Sequence, residues 1–165
     1  MNTATVVHEG HVSGVERLRG SQTLAEVLRT ATSFERSARD FYVGLAPKVS
    51  KRIRDLVHEL AEEEQRHLDM FTVLSGREDI LDQIQESVAT PPSDSRFSDC
   101  IQAPDLGDKP DDQAVLQYAM GREQAAMEQY RSLADSAPAG PFRDIFGYLA
   151  DEEMRHKLEQ EKQYY

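Results

Sequence analysis

The chain contains a single cysteine, Cys100, and no tryptophan in 165 residues. One thiol excludes an intrachain disulfide and any iron centre held by several cysteines of this chain. Basic residues are scarce: 19 Lys and Arg stand against 30 Asp and Glu, a formal net charge of −11. A surface of that sign repels nucleic-acid phosphates and anionic membranes, so neither is expected as a partner. No run reaches about 18 apolar residues, the length of a helical membrane span. Residues 1–20 are polar, with His8, Glu9 and His11, and contain no apolar core of a signal peptide. They read as a flexible N-terminal arm on a cytoplasmic protein. Residues 21–165 fit one domain.

What is present is a repeat. Leu60-Ala61-Glu62-Glu63-Glu64-Gln65-Arg66-His67 returns as Leu149-Ala150-Asp151-Glu152-Glu153-Met154-Arg155-His156, identical at six of eight positions. Each copy holds Glu-x-x-His, a carboxylate and an imidazole about one helical turn apart on one face. A wider copy surrounds it. Ala31, Glu35, Ala38, Tyr42 and Leu45-Ala46 return as Ala119, Glu123, Ala126, Tyr130 and Leu133-Ala134.

The helix signals fit this duplication. A first helix over 21–46 is expected, capped by Ser21 and stopped by Pro47. A second begins at 48–51 and runs to Ser75, with Gly76 as its C-cap. A short helical segment over 77–87 and a loop rich in Pro, Asp and Ser over 89–110 follow. A third helix covers 111–136, and Pro141 opens a fourth that reaches the C-terminus. Short turns make each sequential pair an antiparallel hairpin. The crossover at 76–110 can traverse the bundle, so the fold expected is all-α: a four-helix bundle with one long crossover, built from two repeated hairpins.

Spacing separates ligands from surface acids. On the second helix, Ile53, Val57, Leu60, Glu64, His67, Phe71 and Leu74 follow alternating steps of four and three, the rhythm of a buried seam. The first helix gives Leu24, Leu28, Ala31, Glu35, Ala38, Tyr42 and Leu45. The third gives Leu116, Ala119, Glu123, Ala126, Tyr130 and Leu133, and the fourth Phe142, Phe146, Leu149, Glu153 and His156. Each seam is apolar except at its middle. Four bare carboxylates there would be costly, because burying an unpaired charge costs about several kcal/mol and like charges oppose one another. Two divalent cations cancel four negative charges. Carboxylates with imidazoles suit iron, manganese or zinc, so Glu35, Glu64, His67, Glu123, Glu153 and His156 are the candidate metal ligands.

Asp55-x-x-His58 offers a comparison, since His58 lies about half a turn out of phase with His67 and is expected at the surface. Tyr42 and Tyr130 follow Glu35 and Glu123 by two turns, and either pack in the core or donate a hydroxyl to a ligand carboxylate. Glu63 and Glu152 are either solvated or accept the N–H of a histidine across the bundle.

These residues resemble the rubrerythrin-like branch of the ferritin-like superfamily, over residues 24–165. The resemblance rests on Glu35 with Phe41-Tyr42 and Leu45-Ala46, on Glu64 and His67, on Glu123 with Tyr130 and Leu133-Ala134, and on Glu153 and His156. It implies a ferritin-like bundle with two Fe ions per chain, bridged by Glu64 and Glu153 and capped by Glu35 and Glu123 as terminal ligands. It also implies reaction of the diferrous site with hydrogen peroxide or dioxygen. Rubrerythrins carry a rubredoxin-like domain with four cysteines, which this sequence does not contain, so an external electron donor protein is implied. They also place another Glu one turn after the ligand of the third helix, where this chain has Ala126, so the iron shift that this Glu supports is not implied. Two other functions fit the ligands: a ferroxidase or iron-handling protein, as in bacterioferritin, and a non-enzymatic assembly module with structural metals. A homodimer is expected for each.

Overall fold

The computed structural model describes residues 21–80, 87–89 and 104–165. The arm at 1–20 with His8 and His11, most of the 89–110 loop, and Cys100 lie outside the described residues. Four helices carry the fold: α1 (Leu24–Leu45), α2 (Lys51–Ser75), α3 (Asp112–Ser136) and α4 (Pro141–Tyr164).

The ends of α1 show local chemistry at work. Thr23, not Ser21, is its N-cap: Glu26 N donates to Thr23 Oγ1 at 3.2 Å, and Thr23 N donates back to Glu26 Oε2 at 3.0 Å. That reciprocal pair is a capping box, which needs Glu or Gln three residues after the cap. Ser21 has Leu24 there. Ser21 instead begins a short strand, β1 (Ser21–Thr23), antiparallel to β2 (Ser87–Ala89) with Gln22 opposite Val88. Of the helix expected over 77–87, residues 81–86 lie outside the described residues. Within the rest of that span Glu78–Ile80 form a 3-10 turn, and Ser87 belongs to β2.

At the other end of α1, Ala46 N closes on Tyr42 O at 3.0 Å, and Pro47 has no N–H to continue the ladder. Gly76 caps α2 with φ −90°, a right-handed value open to any residue. Gly140 is different. Its φ of 146° is a conformation that side chains resist, and it leads directly into Pro141 as the first residue of α4.

α1 packs on α2 and α3 on α4, each as a tight hairpin. The core has two apolar clusters. One contains Leu24, Phe34, Phe71, Leu74, Leu133 and Phe142, near the start of α1 and α4 and the end of α2 and α3. The other contains Tyr42, Leu45, Ile53, Val57 and Leu116, at the opposite end. This places α2 parallel to α3, so the chain between them crosses the bundle lengthwise. Glu35, Glu64, His67, Glu123, Glu153 and His156 are buried and, by sequence position, lie between the two clusters. Among the described residues no helix is long and apolar enough to cross a membrane.

Candidate metal centre

Each seam glutamate is delivered by a helix whose apolar neighbours fix its rotation. Ala31 and Ala38 flank Glu35 one turn away on either side, and Ala119 and Ala126 flank Glu123; all four alanines are buried. A side chain between such neighbours points into the bundle. The duplication then brings two hairpins face to face. Glu35, Glu64, His67 and Glu153 offer ligand atoms all within 4.8 Å of one another, and so do Glu123, Glu153 and His156. Glu153 belongs to both groups. Glu64 belongs only to the first, so bridging by both glutamates is not symmetric in this geometry.

The first group is the tighter. His67 Nδ1 lies 3.5 Å from Glu35 Oε2, 3.4 Å from Glu64 Oε2 and 3.4 Å from Glu153 Oε1. These gaps exceed ordinary hydrogen bonds. They match the edge between ligands that each sit about 2.1 Å from one cation. In the second group His156 Nδ1 is 4.0 Å from Glu123 Oε2 and 3.8 Å from Glu153 Oε2. The two imidazoles lie nearly parallel, 16° apart, with ring centres separated by 6.2 Å.

The fit to a metal can be tested on the polar atoms themselves. Glu35 Oε2, Glu64 Oε2, His67 Nδ1 and both Glu153 oxygens are buried without hydrogen-bond partners among the described residues. Buried polar groups are ordinarily satisfied. Five orphaned atoms on four residues, facing one another, need either protons or cations. Oxygen and imidazole donors fit a divalent first-row metal.

Protonation fills part of this need in the metal-free chain. Burial raises the Glu64 carboxyl and the neighbouring Glu35 charge raises it further, to about 8. Burial opposes ionisation of Glu35 too, yet the neighbouring Glu64 carboxyl and the His67 charge hold it below the usual carboxylate range. In the second pair, burial and the Glu153 charge push Glu123 well up. Burial, only partly offset by the neighbouring Glu123 carboxyl, pushes Glu153 to about 8. Burial alone would lower His67, but the charge of the adjacent Glu35 carboxylate raises it well above the usual imidazole value.

Surrounding residues orient these groups. Glu63 Oε2 lies 2.6 Å from His156 Nε2, across the bundle. That contact keeps the proton on Nε2 and leaves Nδ1 turned toward Glu123 and Glu153. Glu152, its equivalent in the repeat, pairs instead with Arg155 at 3.0 Å and reaches no histidine across the bundle. Tyr130 donates to Glu35, on the facing hairpin rather than on its own helix. Tyr42 is as deeply buried, but its hydroxyl has no hydrogen-bond partner among the described residues. His58 is exposed and away from the cluster.

Two buried residues were not singled out from the sequence. Arg122 lies over the Phe34 ring, 4.4 Å from its centroid, and donates to the Phe34 carbonyl at 3.3 Å. The two are equivalent positions of the repeat, just before Glu123 and Glu35, and they meet between α1 and α3. Gln160 donates to Glu123 Oε1 at 3.1 Å. Its signal was the seam itself: after Glu153 and His156 the next position is 160, where the first copy has Phe71.

Comparison with known proteins agrees with this construction. Residues 26–102 match the family model described as Rubrerythrin, a span containing Glu35, Glu64 and His67. Neither curated proteins nor solved structures gave a match. The second hairpin lies beyond the matched span, yet it repeats the first residue for residue at the buried acids and histidines. A four-helix bundle with a buried carboxylate–histidine cluster, matched by that family model across its first hairpin, is consistent with a rubrerythrin-like, ferritin-like protein.

Proposed function

We propose that the chain is a non-haem di-iron oxidoreductase that reduces hydrogen peroxide or dioxygen, with electrons from a separate donor protein. The observation that carries this reading is the pair of overlapping ligand groups joined at Glu153. Glu35, Glu64, His67 and Glu153 would hold one metal. Glu123, Glu153 and His156 would hold the other. Iron is the native metal in this reading, although manganese or zinc suits the same donors. When bound, two ferrous ions supply the two electrons that peroxide needs to become water.

The chain's own residues prepare that chemistry. The apolar clusters on either side keep water out, which strengthens every electrostatic contact within. Tyr130 fixes Glu35, and Glu63 fixes the tautomer of His156. Ala38 and Ala126 keep the space next to the terminal carboxylates small-walled. With one cysteine in the sequence, electrons enter from outside this chain. A homodimer is the expected assembly.

Anaerobic Fe(II) titration of metal-free protein, then rapid mixing with hydrogen peroxide or dioxygen in parallel, tests the proposal. Two Fe per chain with faster oxidation by peroxide is the expected result. Faster oxidation by dioxygen with iron accumulating beyond two per chain would replace it with a ferroxidase. Two tightly held metals that react with neither oxidant would leave an assembly module. Failure to bind two metals would remove the dinuclear reading altogether.

A further inference from the structure

We propose that Gln160 is the positioning residue for Glu123, and that it makes the Glu123–Glu153–His156 position chemically unlike its counterpart. The inference rests on the dinuclear reading above and deepens it. On the first side, the terminal carboxylate Glu35 is held at Oε1 by the Tyr130 phenol. Its other oxygen, Oε2, faces His67 Nδ1 at 3.5 Å. The repeat predicts that Tyr42 should do the same for Glu123. It does not: the Tyr42 hydroxyl is without a hydrogen-bond partner among the described residues. The Gln160 amide occupies that role, donating to Glu123 Oε1 at 3.1 Å and leaving Oε2 turned to His156 Nδ1 at 4.0 Å.

Burial argues that this contact is the reason for the glutamine. Gln160 is 0% exposed. It stands at a seam position that the first copy fills with Phe71, which packs against the Tyr130 ring. A hydrophobic side chain would be ordinary there. A buried carboxamide is costly unless it is bonded, and its Oε1 has no partner among the described residues. The bond to Glu123 is what offsets that cost. The consequence is asymmetry. A phenol at Glu35 can release a proton or an electron, whereas an amide at Glu123 can do neither. Gln160 holds geometry only.

The test is a Mn(II) titration of the full chain followed by electron paramagnetic resonance, which distinguishes an isolated Mn(II) from a spin-coupled pair. The unchanged protein should pass to the coupled signal as two equivalents bind. Gln160→Met keeps length and apolar volume but removes the amide. One Mn(II) should still bind as before, while the coupled signal should require roughly 10–100-fold more free Mn(II), the usual loss when an orienting partner of a ligand is removed. Gln160→Asn, which withdraws the amide by one methylene, should weaken the same step. Tyr130→Phe should weaken the other position instead. Unchanged affinities in both Gln160 variants, or equal weakening of both positions, would overturn the assignment. An unchanged protein that binds two Mn(II) without coupling, or fails to bind two, would overturn the dinuclear reading and this inference with it.

Discussion

At the scale of single residues, the buried cluster is a competition between protons and cations for the same lone pairs. Glu64 and Glu153 are held at about 8, far above the ordinary carboxylate value, chiefly by burial. Between about pH 5 and 8 the folded metal-free chain therefore keeps protons that the unfolded chain has released, and its stability falls as pH rises through that window. Glu123, His67 and His156 are shifted upward and act in the same direction. The metal-free protein should melt at a higher temperature near pH 5.5 than near pH 8, read by circular dichroism. Metal uptake at neutral pH should release protons, read as a buffer-dependent heat in calorimetry. Glu153 is shared by both ligand groups, so Glu153→Ala should remove both metals, while Glu123→Ala should leave about one per chain by elemental analysis.

At the scale of elements, helix ends were set by small chemical details and helix middles by periodicity. The start of α1 depends on the reciprocal pair Thr23 and Glu26. Thr23→Ala should cost about 1 kcal/mol, lowering the melting midpoint by a few degrees while two-metal binding persists, because the cap lies about three turns from Glu35. This cap was legible as Thr-x-x-Glu, but Ser21 offered a competing capping residue two positions earlier. The pairing of Ser21–Thr23 with Ser87–Ala89 joins segments far apart in the chain. No local pattern announces such a contact, so β1 and β2 were invisible to a reading of periodicity. The stop at Ala46–Pro47 and the start at Pro141 were legible, since missing N–H groups act wherever the fold places them.

At the scale of the whole molecule, the polar layer trades stability for function. Four carboxylates and two imidazoles interrupt what would otherwise be one continuous apolar core. A ligand that binds only the folded state restores stability by mass action. Added Mn(II) or Fe(II) should raise the melting midpoint progressively, with about 2.7 kcal/mol of added stability at 100 times the dissociation constant, and a chelator should reverse the gain. Absence of any metal-dependent shift in a thermal scan would contradict a metal-binding core.

The sequence by itself determined the four helices, the crossover and the convergence of Glu35, Glu64, His67, Glu123, Glu153 and His156. Each follows from a helix presenting one face every three or four residues, and from a repeat that sets two faces at similar depth. Only the tertiary structure decided how the symmetry breaks. Tyr130 reaches Glu35 while Tyr42 reaches no carboxylate, Glu63 reaches His156 while Glu152 turns to Arg155, and Gln160 takes the place of a phenylalanine. Most of those choices depend on which side chains of different helices come within hydrogen-bond reach. Position along a single helix places Gln160 on the seam, but it does not say which group across the bundle each side chain meets.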